Sequence, residues 1–150
     1  MLQPATDSPT PGLEPEAPRR SYLMAETTVR SWLDTRDHKR VGLMFLVALL
    51  FALFLGGVFA MVLRIELLTP DRTIISPVAY NRLFTLHGIV MIFLFLVPAI
   101  PSAFGNFMVP LMIGARDVAF PRLNLLGLYL YLAGAVIVLA AMIHGGTDTG

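Results

Sequence analysis

Few residues in this chain are equipped for chemistry, and the foremost is His87, in the run "RLFTLHGIVMIFLFLV" (82–97), which carries no formal charge after Arg82. A neutral imidazole in hydrocarbon must satisfy one donor and one acceptor. His87 is therefore expected to face a bundle interior and to bond a neighbouring helix or a metal. Phe84, Met91 and Phe95 lie three, four and eight positions away and share its face at helical spacing. Gly88 leaves room for something flat and large, and those side chains suit the edge of a macrocycle as well as plain helix packing. Residue types alone leave a cofactor ligand and a structural histidine both open, the structural one being the commoner.

Arg64 and Glu66, in "VLRIEL", read most simply as a snorkelling interfacial pair. Yet a short link joins the Arg64 run to the His87 run, so both residues lie at similar depth. An arginine there can donate forked hydrogen bonds to a carbonyl substituent on a cofactor. The segment "FGNFMVPLMIGARDVAFPRLN" places Asn106, Asp117 and Asn124 near the opposite face. Asp117 precedes a helix whose N-terminal field favours a carboxylate, so a plain loop charge is the commoner reading. The alternative is a mouth that collects protons and passes them inward through amides and ordered water. His38, in "DHKR", reads as interfacial rather than as a ligand, and His144 as an outer-surface residue.

Only a membrane would position such residues. The 150-residue chain is 56% hydrophobic and 14% charged, with a mean hydropathy of +0.73, too apolar for an ordinary water-soluble domain. Val41 to Leu63, Leu83 to Ala115 and Leu123 to Ile143 form formally uncharged runs of 23, 33 and 21 residues. Each exceeds the about 20 helical residues needed to cross a hydrocarbon core. The expected fold is an all-α membrane protein with three transmembrane helices.

A dispersed net charge of +1 argues against a nucleic-acid partner. The absence of cysteine excludes thiolate metal sites and disulfides. Any metal must use histidine, carboxylate or backbone oxygen. The first run is too long and too far from Met1 for a signal peptide.

Residues 1–20, rich in Pro, Thr and Glu, should form a disordered tail. Residues 21–40 should form a cytoplasmic interfacial segment with Trp32 near the headgroups, followed by the three spans in 41–150. Arg30, Arg36, Lys39 and Arg40 precede the first span, while Arg116 and Arg122 flank the second link; both segments are assigned to the cytoplasm. Arg64, Arg72 and Arg82 then lie outside. Pro98, Pro101 and Pro110 should kink the second span, and Pro121 suits the first turn of the third.

Together "DHKRVG", "LRIEL", "NRLFTLHGIVMIFLFLVPAI" and "FGNFMVPLMIGARDVAFPRLN" resemble the start of subunit I of the haem-copper oxidases, from about Trp32 to Gly150. The motifs occur in order and at that family's spacings. The resemblance implies that the three spans belong to a twelve-helix subunit I bundle. It gives His87 the role of an axial ligand to the low-spin haem iron, taken as haem a, with Arg64 bonded to that haem's formyl group. Asp117 becomes the entrance aspartate of a proton pathway, with Asn106 and Asn124 as its nearby asparagines. Glu66 matches a carboxylate that in some members helps bind Ca²⁺ or Na⁺, although Asp71 stands where a glycine is common.

Ligands for the high-spin haem a3 and CuB are implied on later helices. The chain is therefore expected to be part of a subunit and not catalytic alone. Arg116 and Leu125 depart from the motif, replacing a proline and a second asparagine. Leu55, Phe59, Ala79 and Arg82 occupy the places of a quinol site's arginine, aspartate, histidine and glutamine, so the resemblance favours cytochrome c as electron donor over quinol.

The implied setting is the bacterial inner (plasma) membrane, with a cytoplasmic N-terminus and oxidase subunits II and III as partners. A non-redox transport or assembly subunit is the alternative from a different class. About 30 residues separate His87 from Asp117, a contour of roughly 45 Å if helical at 1.5 Å per residue.

Overall fold

The computed structural model describes residues 28–71 and 74–144, all helix, turn or loop with no strand among them. A short helix α1 (Val29–Leu33) precedes α2 (His38–Glu66), α3 (Pro77–Ile113) and α4 (Pro121–Ile143). The last three are long and apolar enough to cross a membrane, as the uncharged runs require. The N-terminal tail and Arg72 lie outside the described residues.

Helix ends differ from the bounds of the uncharged runs because caps set them. Asp37 caps α2 by accepting the Lys39 N–H at 2.9 Å, so this helix starts at His38 instead of Val41. Ser76 accepts the Ala79 N–H with Pro77 in the first turn, starting α3 six residues before Leu83. Gly114 ends α3 at φ +68°, a left-handed conformation that glycine adopts without a Cβ penalty. Pro121 opens α4 as its ring geometry favours. Among the described residues of the interfacial segment that precede α2, helix is formed by the five residues of α1, with the Arg40 guanidinium 5.1 Å from the centroid of its Trp32 ring; residues 21–27 of that segment lie outside the described residues.

The prolines of α3 act through a change of helical register. Val90–Leu96 and Ala99–Phe104 are π-helical, and the Val97 and Gly105 N–H groups reach back five residues to Ile92 and Ile100. Pro98 and Pro101 lack the N–H groups that α-helical pairing demands, and the wider turns accommodate the loss.

Packing runs along one seam of α2. Val41, Phe45, Leu49, Ala52, Gly56, Phe59, Leu63 and Glu66 are all buried, at spacings of three and four. The upper part meets Leu86, Val90 and Leu94 of α3; the lower part meets Leu125 and Leu128 of α4. Lipid tails are as apolar as these side chains, so close contact and hydrogen bonds hold the seam more than expulsion of apolar surface does. Large apolar residues elsewhere remain exposed, including Phe54, Phe93 and Leu130, and only 11% of α4's apolar window is buried. Those faces suit lipid or further helices.

Candidate functional site

Toward the C-terminal end of α2, His87 is half-buried on α3, and its Nδ1 lies 2.9 Å from the Gly56 carbonyl of α2. A carbonyl only accepts, so Nδ1–H donates. That leaves the neutral ring's lone pair on Nε2. The bond exists because α2 and α3 approach closely here. A Cβ at Gly56 would stand 2.6 Å from Met91 Sδ and 3.0 Å from Met91 Cγ.

A Cβ at Gly88 would meet nothing within 4 Å, so the space beside His87 is open. Met91 shares the contact region, but Phe84 is exposed and Phe95 packs on the α2–α3 core. The face shared at helical spacing therefore runs through Met91 and Phe95 toward α2, and Phe84 is the one of the three that stands exposed.

Arg64 stands exposed near the end of α2, eight residues beyond Gly56 and about 12 Å further along the axis. The structure does not join it to His87. Glu66 is fully buried, and its Oε2 accepts the Ile74 and Ile75 N–H groups at 3.1 and 2.9 Å. These bonds fold the link between α2 and α3 back over the end of α2. Glu66 Oε1 is buried with no hydrogen-bond partner among the described residues, which leaves one carboxylate oxygen available to a cation.

At the other end, Asp117 Oδ1 accepts the Val118 N–H at 2.8 Å and lies 2.7 Å from His38 Nδ1. The His38 side chain is 6% exposed and that of Asp117 48%. His38 is thus enclosed against the loop carboxylate, a role its place in "DHKR" did not disclose. The available signal was positional: the first residue of α2 and the link before α4 occupy one membrane face.

Asn106 and Asn124 form a reciprocal amide pair, with Nδ2-to-Oδ1 distances of 3.3 and 2.5 Å. Asn106 Nδ2 also donates to the Ser102 carbonyl. A Cβ at Gly42 would stand 3.0 Å from Asn106 Cβ, so the pair sits beside α2 one turn inside His38, about 6 Å along the axis.

Contacts along α2 measure the separation of the two ends. His38 touches Asp117, Gly56 touches His87, and the 18 residue steps from one to the other rise about 27 Å. The roughly 45 Å contour is not realised in this direction, because Gly114 turns the chain out of α3 before Asp117 and two stretches of α3 are π-helical. His38 stands at the first residue of α2 and Gly56 in its C-terminal half.

Histidine with a free Nε2 beside open space fits one axial position of a haem. The described residues contain no group of three or more His, Cys, Asp or Glu that could hold a metal ion by themselves. The structure therefore offers a single imidazole nitrogen able to ligate a metal, and no enclosed metal site among the described residues.

The sequence profile described as "Cytochrome C and Quinol oxidase polypeptide I" matches residues 40–150. Cytochrome c oxidase subunit 1 of Thermostichus vulcanus is 46% identical over 114 residues, covering 76% of this chain and 21% of that protein. The Synechocystis sp. protein of the same name is 41% identical over 132 residues, covering 85% and 24%. Cytochrome c oxidase polypeptide 1 of Halobacterium salinarum is 43% identical over 118 residues, covering 79% and 20%. The chain thus spans about a fifth to a quarter of the length of these relatives. Matched across its three spans and both candidate sites, it belongs to the cytochrome c and quinol oxidase polypeptide I family of multi-pass membrane proteins.

Proposed function

We propose that this chain forms the first three membrane helices of the catalytic subunit of a bacterial terminal oxidase. That oxidase passes electrons from cytochrome c to dioxygen, reduces it to water and moves protons across the plasma membrane. The observation that carries this reading is the hydrogen bond from His87 Nδ1 to Gly56, which fixes the tautomer with Nε2 free for iron. A low-spin haem a bound there would supply one-electron transfer. The second axial ligand, haem a3, CuB and their ligands would come from helices beyond this chain, as would the contacts with subunits II and III.

His87 orients its ring through Gly56, and Met91 packs beside it. Arg64 can swing its guanidinium toward a formyl or propionate group at the outer edge. Glu66 Oε1 is the group that would meet Ca²⁺ or Na⁺. At the cytoplasmic face, Asp117 gathers protons beside His38, and the Asn106–Asn124 amides order the waters that carry them inward. The donor assignment rests on Leu55, Phe59, Ala79 and Arg82, which supply none of the quinol-site residues at those places.

The test is a visible absorption spectrum of the membrane-extracted full-length protein. Reduced low-spin haem bands should be present in the parent and absent in His87→Ala. Bands that persist unchanged in the variant would refute the ligand assignment.

A further inference from the structure

A polar hollow and an apolar groove meet at α1. The hollow is lined by Thr28, Arg30, Ser31, Asp34 and Arg40. The groove, of about 870 Å³, runs between α2 and α4 from Leu43 to Leu55 on one helix and from Leu128 to Leu139 on the other, with walls that are nearly all carbon. Trp32 and Leu33 of α1 close one end of it. The Tyr129 hydroxyl of α4 donates to the Leu33 carbonyl, so α1 is tied across that end. Trp32 edges the groove while its ring faces the Arg40 guanidinium, which edges the hollow.

Length and closure decide what the groove accepts. Leu43 to Leu55 is 12 residues, about 18 Å along α2, close to the roughly 15 Å of hydrocarbon in one leaflet. Helix α2 continues to Glu66, so the groove serves one leaflet only. A further membrane helix, about 10–12 Å across, would run the full depth and would meet α1 at the closed end. An acyl chain belongs to one leaflet and hangs from a headgroup at its surface, which is the layout of groove and hollow.

Charge decides the headgroup. Arg30 is exposed, whereas Arg40 is 6% exposed and its Nη1 donates to Ser31 Oγ at 3.3 Å. Contact with the hydroxyl and the indole face fixes the direction of that guanidinium, a planar fork suited to phosphate oxygens. Asp34 borders the same hollow and offsets one of its two arginines, which leaves it matched to a group of single negative charge.

We infer that α1 and the α2–α4 groove hold one anionic phospholipid from the leaflet on the His38 side. Its phosphodiester sits in the hollow against Arg30 and Arg40, Trp32 lies at the level of the glycerol backbone, and an acyl chain runs along the groove. This seat is independent of haem and of the Asp117 loop.

The test uses the intact membrane complex that contains this chain, purified in mild detergent, delipidated and weighed whole by mass spectrometry as phosphatidylglycerol or phosphatidylcholine is added back. The parent should retain one phosphatidylglycerol more than Ala48→Trp, whose indole fills the groove from its wall. Arg30→Gln should weaken phosphatidylglycerol binding about five-fold, the effect of one arginine at an anionic surface, and leave phosphatidylcholine unchanged. Arg36→Gln, exposed and outside the hollow, should change neither.

Equal lipid retention by the parent and Ala48→Trp would overturn the groove as a lipid seat and point to protein covering it. An Arg30→Gln effect no larger than that of Arg36→Gln would overturn the headgroup position, as would phosphatidylcholine binding to the parent as tightly as phosphatidylglycerol. Because Arg30 is exposed, its variant decides the inference even where Ala48→Trp fails to assemble.

Discussion

Gly42 should be intolerant of a methyl group in a way that Gly57, on the same helix, is not. A Cβ at Gly42 would lie 3.0 Å from Asn106 Cβ and 3.1 Å from two ring carbons of Phe107, whereas one at Gly57 would meet nothing within 4 Å. Carbon atoms rest at about 3.5–4.0 Å, so Gly42→Ala must drive α2 and α3 apart by about half an ångström. Asn106 Cβ is fixed to the backbone and cannot swing aside.

Overpacking of this kind costs about 1–3 kcal/mol. Both substitutions share the helix-propensity gain of replacing glycine by alanine, about 1 kcal/mol, so their difference isolates the clash. The same shift disturbs an amide pair whose longer bond, at 3.3 Å, is already stretched. SDS-driven unfolding of the purified full-length protein, read beside proton uptake, tests both effects. Gly57→Ala should equal or exceed the parent in stability, and Gly42→Ala should fall about 1–3 kcal/mol below Gly57→Ala with slower uptake. Haem bands should not change, because Gly42 is 14 residues and about 21 Å from Gly56. Equal stability of the two variants would refute the close-approach argument.

Asp117→Asn should slow proton-coupled turnover while leaving haem bands intact, checked by uptake kinetics and a reduced-minus-oxidised spectrum. His38→Ala removes the partner 2.7 Å from Asp117 and should slow uptake less than Asp117→Asn, since the carboxylate remains and is half exposed. Glu66→Ala leaves the Ile74 and Ile75 N–H groups without their acceptor, at about 1–3 kcal/mol for each that stays buried. Faster proteolysis within the outer link reports that loss, and unchanged cleavage would count against the Glu66 clasp.

The three spans were legible because a run of about 20 uncharged residues has few uses outside a bilayer. Helix ends were less legible, since Asp37, Ser76 and Pro77 lie in polar sequence and extend helices past the apolar runs. His87 stood out as an ionisable group among apolar neighbours, but its acceptor is a backbone carbonyl 31 residues away, which no side-chain pattern announces. His38 was passed over for the converse reason. Its immediate neighbours are charged and its burial comes from Asp117, 79 residues later. Gly42 and Gly56 were visible as glycines, yet only the packing of α3 on α2 reveals why a side chain is excluded there. The prolines marked a disturbance of α3 without saying that the chain would answer with π turns, because that answer depends on donors from α4.

The proline-rich part of α3 and the straight run of α2 solve different halves of one problem. A proton route through hydrocarbon needs polar atoms that are not consumed by secondary structure, whereas a regular helix consumes its own. Pro98 and Pro101 withhold two donors, the π-helical stretches widen the coil, and Tyr131 and Asn106 bring polar groups from side chains to the same region. Helix α2 has no proline and keeps its buried stripe unbroken from Val41 to Glu66. It touches Asp117 through His38 and His87 through Gly56, so one stiff element sets the distance between the loop carboxylate and the α3 histidine. Proline within α2, at Leu50 for example, should therefore harm both ends together, whereas Asp117→Asn should leave the His87 end intact. Haem bands and proton uptake failing in concert for Leu50→Pro, and uptake failing alone for Asp117→Asn, is the pattern this division of labour requires.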